Sequence, residues 1–241
     1  MKIVAIIGAR AGSKSVKDKN IRMVAGKPVM VWVIEAAKGS KYIDRVVVST
    51  DSQKYAEIAK KSGAQVPFLR PKEIAKDTSH DLEYLTHALN WLKENENYIP
   101  DIVFKVSACC PLLRSWHFDK CVEILKENPD FDSVRPVAPS PKHPYKMWKV
   151  EGNILKPFLT KEFIGLDEPY NLARQLLPKV YIHTGIIALR YKTIIEDYSL
   201  VGKKSGTFII LEEDALDIDS ELDLKLAEIL LKERMSKEKF L

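Results

Sequence analysis

Residues 2–7 form a short apolar, β-branched run that stops at Gly8. Such a run predicts a central strand buried on both faces. A helix is expected to open at Pro28, whose missing N–H costs nothing in a first turn. Val29, Met30, Val33, Ile34 and Ala37 then fall on one apolar face at helical spacing, and Gly39 suits the stop. The RVVVS run at 45–49 predicts a second buried strand, followed by a helix from about Ser52 with Tyr55, Ile58 and Ala59 inward. A third strand is expected at 65–69, a polar loop at 70–81 and a helix at 82–93. Further strands are expected at 101–107, 132–138, 179–190 and 207–211, with helices at 118–126 and 223–234.

Strands alternating with helices in this order imply an α/β fold built on a doubly wound, mostly parallel sheet. One domain over 1–241 is the simplest division. Residues 139–175 break the pattern: they hold five of the 13 prolines, several aromatics and little periodicity. They read as an inserted arm or flap. In sheets of this kind ligands bind beyond the C-terminal ends of the strands. The loops after 2–7, before Asp81 and around Pro111 are placed there.

Composition narrows the class. The 241 residues are 46% hydrophobic and 29% charged, which excludes a disordered or fibrous chain. No apolar run reaches the roughly 18 residues of a membrane helix. The three cysteines, Cys109, Cys110 and Cys121, contain no Cys-x-x-Cys pair and point to a reducing cytoplasm. The net charge of +5 suits a polyanionic small substrate such as a nucleoside triphosphate. No block of basic residues interleaved with aromatics exists, so nucleic acid is not an expected partner.

The candidate chemistry begins in the loop ARAGSKSVKDKN at 9–20. Ala9, Ala11, Gly12 and Ser13 are small and leave backbone N–H groups open to phosphate oxygens. Arg10, Lys14 and Lys19 add three positive charges, which a departing pyrophosphate requires. A flexible basic surface loop has the same composition. Neither G-x-x-x-x-G-K-[ST] nor G-x-G-x-x-G is present. A second candidate is Asp217-Ile218-Asp219. In an extended segment the two carboxylates point to one side and make a hard oxygen site suited to Mg²⁺. The same residues, with Ser220 and Asp223, also read as a helix cap. Glu212, Glu213 and Asp214 read as solvated, and Cys109 and Cys110 as packing residues.

The first loop resembles the pattern of the acylneuraminate cytidylyltransferase family, A-R-x-G-S-K, a short gap, then K-N. Ala9, Arg10, Gly12, Ser13, Lys14, Lys19 and Asn20 match in register. GKPV at 26–29, VVVSTDS at 46–52 and GAQVPFLRPKEIAKDTS at 63–79 match as well, so the resemblance runs through nearly the whole chain. It implies a Rossmann-like nucleotidyltransferase domain with a dimerisation insert, placing 139–175 in a homodimer contact. It implies CTP and an acidic, sialic-acid-like (nonulosonic) sugar as substrates, with CMP transferred and pyrophosphate released. Asp217 and Asp219 would bind Mg²⁺. Arg10, Lys19 and Asp217 would be catalytic. Arg70, Asp77, Thr78 and Ser79 would line the cytidine site, and Arg174 and Gln175 the sugar site.

The departures cluster on the sugar side. Ser107 stands where the family has Gln, Ala173 where it has Arg, and His183-Thr184-Gly185 where it has E-N-G. Ser107 and His183 are therefore expected near an altered acceptor. Another acid sugar or a phosphonate remains open as acceptor. A glycosyltransferase of similar fold and a non-catalytic nucleotide-binding protein are the alternatives of other classes.

Overall fold

A computed structural model describes residues 1–238. The elements run β1 (Ile3–Gly8), β2 (Met23–Val24), β3 (Lys27–Pro28), α1 (Val29–Lys38), β4 (Arg45–Ser49), α2 (Gln53–Lys61), α3 (Asp81–Glu96), β5 (Ile102–Ser107), α4 (Ser115–Glu127) and β6 (Ser133–Pro139). They continue with β7 (Trp148–Glu151), β8 (Ile154–Pro157), α5 (Lys161–Ile164), β9 (Tyr181–His183), β10 (Ile186–Arg190), α6 (Tyr191–Ile195), β11 (Ser205–Ile209) and α7 (Glu221–Glu238).

The main sheet has the order β11-β6-β10-β5-β1-β4, with β9 also on β6. β1 lies parallel between β4 and β5, with Ile6 opposite both Val47 and Lys105. β11 is parallel to β6, whereas β10 runs antiparallel to β5 and β6, and β9 antiparallel to β6. The α/β doubly wound class holds, on a sheet that is mixed. The cause is the excursion after β6. It leaves at Pro139 and returns at Tyr181, which pairs with Pro139. A chain that re-enters a sheet at the end it left must run back antiparallel.

Strand periodicity sorts the core into two layers. Ile3, Ala5 and Ile7 of β1 meet α1, α2 and α4 on one face. Val4 and Ile6 meet α3 and α6 on the other. Leu85, Leu89 and Leu92 of α3 are wholly buried, each contributing about 1.5–3 kcal/mol of burial. The strand expected at 65–69 is reduced to one bridge, Val47 with Gln65. Pro67 and Pro71 lack the N–H groups a central ladder needs, and Phe68 leaves the sheet to pack against His87 and Trp91.

A third cluster positions the site. Leu224, Ala227 and Leu231 of α7 pack with Val16, Val24, Leu112 and Ile218. The C-terminal helix thereby fastens the loop after β1, the loop after β5 and the Asp217–Asp219 segment to one another. The excursion from 140 to 180 carries the β7–β8 hairpin, α5 and short 3-10 turns. Val150 is 71% exposed and Phe163 80%, with Ile154, Leu155 and Phe158 also exposed. Among the described residues no helix is long and apolar enough to cross a membrane.

Candidate active site

β1, β4 and β5 end side by side, with Gly8 opposite both Ser49 and Ser107. Their three loops enclose a cleft of about 200 Å³ lined by Gly8, Arg10, Ser13, Lys19, Asn20, Arg70, Ser79, Lys105, Ser107 and Cys109, among others. Arg10, Ser13, Lys19, Asn20, Arg70, Ser79 and Ser107, all singled out from the sequence, meet here although they come from distant stretches of chain.

The loop after β1 is pinned by its backbone. Ala9 N–H donates to the Ser49 carbonyl at 3.0 Å and Ala11 N–H to Asp51 Oδ1 at 2.8 Å. Asn20 Nδ2 donates to the Arg10 carbonyl at 3.1 Å, closing the loop on itself. Gly12 has φ +74° with no atom within 4 Å of the place a Cβ would take, so the turn selects glycine by its backbone alone. At Gly8 the constraint is contact: an added Cβ would lie 2.8 Å from the Tyr84 ring. The chain must pass close beneath that ring for the cleft to open there.

Arg10 and Lys14 both reach Asp77, at 2.7 and 2.6 Å. The Lys14 ammonium contact, opposed by slight burial and helped by Arg10, holds the Asp77 carboxyl below its usual pKa. Asp77 thus sits on the two cations rather than toward a base, and Ser79 Oγ accepts from Lys76 N–H at 3.1 Å. Thr78 is exposed between them. Arg70 is 6% exposed, lies 4.4 Å over the Tyr84 ring, and donates to Ser49 Oγ (3.0 Å) and the Ser49 carbonyl (2.7 Å). It forms the cleft wall and commits much of its donor set to β4. Burial lowers its pKa, against the opposing pull of Tyr84, Asp51 and Asp81.

Lys19 crosses to the opposite wall. Its ammonium donates to the Ile218 carbonyl at 2.8 Å and to Asp219 Oδ1 at 2.9 Å. Burial works to lower the Lys19 pKa, but Cys109, Asp219 and Asp217 outweigh it and the net shift is upward. Ile218 is wholly buried while Asp217 and Asp219 are exposed. That alternation turns both carboxylates to one side of the extended segment. The helix cap is made by other residues: Ser220 Oγ accepts from Asp223 N–H (3.2 Å), and Asp223 Oδ2 accepts from the N–H groups of Asp219 (3.0 Å) and Ser220 (2.7 Å). This reciprocal capping box satisfies the first turn of α7 and leaves the two carboxylates outside the cap, Asp219 on Lys19 and Asp217 beside Cys109 and Cys110. Two exposed carboxylates on one side are an oxygen donor set that fits Mg²⁺. The Cys109 and Cys110 sulfurs lie within 4.8 Å of an Asp217 oxygen, but a thiol is a poor Mg²⁺ ligand. The Cys110 thiol, beside Cys109 and fully buried, is pushed well up and stays protonated.

The acceptor-side residues divide. Ser107 lines the cleft, and its N–H donates to the Gly185 carbonyl at 2.7 Å. His183 is on β9 at the same end of the sheet, its pKa lowered by burial and then by the Arg135 and Lys105 charges. Arg174 lies in a 3-10 turn of the excursion and lines a separate groove of about 710 Å³ with His143, Lys146 and Pro178, and Gln175 is exposed beside it. The structure does not bring Arg174 and Gln175 to Lys19 and Asp217 within one copy of the chain.

Asp214 is not solvated as expected. It is 1% exposed and is held by Arg234 (2.8 Å), Arg114 (3.1 Å) and His117 (3.5 Å). A carboxylate three residues before Asp217 is thereby locked between α4 and α7. Sequence reasoning also missed Lys105, Asp81, Tyr84 and Arg135. Lys105 pairs with Asp81 at 2.7 Å and donates to Ser107 Oγ at 3.2 Å. Its signal was legible: one lysine interrupts the apolar strand IVFKVS.

Comparison with known proteins agrees with this geometry. The family described as Cytidylyltransferase matches residues 4–238. The CMP-N,N'-diacetyllegionaminic acid synthase of Legionella pneumophila is 32% identical over 234 residues, covering 96% of this chain and 97% of the relative. The N-acylneuraminate cytidylyltransferase of Escherichia coli O18:K1:H7 is 30% identical over 242 residues, covering 99% of this chain and 54% of that longer relative. Among solved structures, a CMP:2-keto-3-deoxy-manno-octonic acid synthetase complexed with CTP superposes with a TM-score of 0.72 at 16% identity, covering 97% of this chain and 100% of that one. That likeness is one of fold.

Proposed function

Since the chain belongs to the cytidylyltransferase family, we propose that it transfers CMP from CTP to an acidic sugar of the nonulosonic type and releases pyrophosphate. The observation that carries this reading is the convergence of Lys19 with Asp217 and Asp219 beside the small-residue loop at 9–14. A triphosphate loses pyrophosphate most easily where fixed positive groups meet the charge that develops on it.

In this mechanism the anomeric hydroxyl of the sugar attacks the α-phosphorus of CTP, the bond from that phosphorus to the oxygen bridging to the β-phosphate breaks, pyrophosphate leaves, and the hydroxyl proton passes to solvent water. Arg10 and Lys14 exchange Asp77 for phosphate oxygens, and open N–H groups around Gly12 and Ser13 add donors. Lys19 keeps its proton and offsets charge on the departing pyrophosphate. Asp217 and Asp219 would hold Mg²⁺, which when bound lowers the phosphate charge the acceptor must approach. Ser107 and His183 face the acceptor. Catalysis is positioning and electrostatics, with no covalent enzyme intermediate. The names of the relatives, which act on N-acylneuraminate or diacetyllegionaminic acid, support an acceptor of this class.

The exposed apolar side chains of the excursion support a homodimer in which this arm packs on a second copy. The three free cysteines suit the cytoplasm, where CTP is available.

The test is pyrophosphate release with CTP and Mg²⁺ against N-acetylneuraminate, legionaminate, pseudaminate, 3-deoxy-octulosonate and simple phosphonates. Release with one acid, and none with ATP, GTP or UTP, is the expected result. Release with no acid, at a concentration where CTP binds, would remove the reading.

A further inference from the structure

The first loop and the Asp217–Asp219 segment account for Arg10, Lys14, Lys19 and both aspartates. Two further cations stand apart from these, Lys105 in the cleft lining and Arg135 two strands beyond it. Lys105 lies on β5 opposite Ile187 of β10. β10 and β6 pair with Ala188 opposite Val134, so one step along the same register Arg135 flanks Ile187 from the far side. Residues directly across a ladder share a face. Ile6 and Ile187 belong to the layer covered by α3, so Lys105 and Arg135 project to that layer too. They are two strands apart, with roughly 10 Å between their backbones, well within reach of two long side chains converging on one small group. His183, opposite Val137 and thus two positions on from Arg135, shares the face.

The charges there do not balance. Lys105 is 18% exposed and has Asp81 at 2.7 Å. Arg135 is half-buried, and among the described residues its guanidinium has no ion pair and no hydrogen bond; the Asp81 carboxylate acts on it only at longer range. A single carboxylate therefore serves two cations. A half-buried guanidinium without a partner is costly, and its planar fork matches a carboxylate in bidentate fashion. The location is also specific. Lys105 donates to Ser107, which lines the cleft beside Lys19 and Cys109. An anion between Lys105 and Arg135 would sit beyond Ser107, on the side away from the phosphate loop.

We infer that Lys105 and Arg135 seat the carboxylate of the acceptor sugar, with Asp81 holding Lys105 in its absence. This rests on the acceptor being an acid, as proposed above. The assignment differs from the one the sequence resemblance implies, which places that role on Arg174. Lys105 and Arg135 act in it as specificity-determining residues: a neutral sugar would leave Lys105 on Asp81 and the half-buried Arg135 without a partner.

The test is direct binding, independent of turnover. Wild type, Arg135→Gln, Arg135→Lys and Lys105→Gln are titrated calorimetrically with the four sugar acids named above and with the methyl ester of whichever binds tightest. CTP is titrated into each as a check on the cleft. The expected result is at least tenfold weaker acid binding in Arg135→Gln and Lys105→Gln, partial recovery in Arg135→Lys, and CTP affinity within twofold of wild type. The ester should bind wild type as weakly as the acid binds Arg135→Gln, and Arg135→Gln should no longer distinguish acid from ester. Equal binding of acid and ester by wild type, unchanged acid binding in Arg135→Gln, no binding of any acid, or joint loss of CTP and acid binding in Arg135→Gln would each overturn the inference. Acid binding as expected without pyrophosphate release would instead sink the proposed reaction and leave the subsite standing.

Discussion

The Lys19 ammonium lies 2.9 Å from an Asp219 carboxylate oxygen, although the two residues are 200 positions apart in the chain. The contact joins the phosphate loop to the segment that carries Asp217, and α7 packed on Val16 and Ile218 keeps them in register. In the proposed reaction this one ammonium would serve both the anionic wall and the incoming phosphates.

Lys19→Met should therefore reduce pyrophosphate release by about a hundredfold or more, the usual cost of losing one preorganised charge at a reacting phosphate. Far-UV circular dichroism should be unchanged, since Asp219 is exposed and water can replace the lost donor. A turnover number within threefold of wild type would remove Lys19 from the reaction.

Asp217→Asn should lower turnover by a similar factor and raise the Mg²⁺ concentration needed for half-maximal rate. CTP binding measured without metal should change little, because Arg10, Lys14 and Lys19 remain. An unaltered Mg²⁺ dependence would break the assignment of Asp217 as a metal ligand.

Asp77 pairs with Arg10 and Lys14, so in the proposed reaction it would compete with phosphate for them. Asp77→Asn should tighten the binding of inorganic pyrophosphate by a few-fold, with the gain shrinking as salt is raised, because these groups are solvent-facing. Weaker binding in that variant would make Asp77 a ligand contact instead of a competitor.

Asp214 predicts a stability effect with a defined pH dependence. Burial would raise its pKa, but His117, Arg114 and Arg234 outweigh burial and the folded-state value is lowered. A lowered folded pKa contributes stability that is full above the unfolded value of about 4. It is lost as pH falls through the folded value. Asp214→Ala should cost about 3–5 kcal/mol near neutral pH, since it leaves buried cations unpaired. Urea unfolding at pH 7 and at pH 3 should show the gap between wild type and variant narrowing in acid. A constant gap would mean that packing, and not charge, carries the effect.

If the excursion forms the contact between two copies, Val150→Asp combined with Leu155→Asp should convert a dimer into a monomer in sedimentation at micromolar protein. Both side chains are exposed, so the fold of one copy should tolerate the change.

The open loop of small and basic residues after β1, the segment Asp217–Asp219 before the last helix and the alternation of strands and helices were legible in the sequence because each rests on local physics. Apolar β-branched runs make buried strands. Periodic faces such as Val29, Met30, Val33, Ile34 and Ala37 make helices, and all five are buried as expected. Small and basic residues after a strand make an open loop at the cleft, and alternation about a buried Ile218 turns two carboxylates one way. The third strand was lost because a ladder needs N–H donors that Pro67 and Pro71 lack. What only the tertiary structure decided depends on partners far along the chain. The direction of β10 follows from where the excursion re-enters the sheet. The burial of Asp214 follows from Arg114 and Arg234, which are 100 and 20 positions away. Lys105 and Arg135 come to one face across β10 only through strand register, and Asp81, which answers Lys105, comes from α3, because a side chain's charge is local but its neighbours are set by the fold.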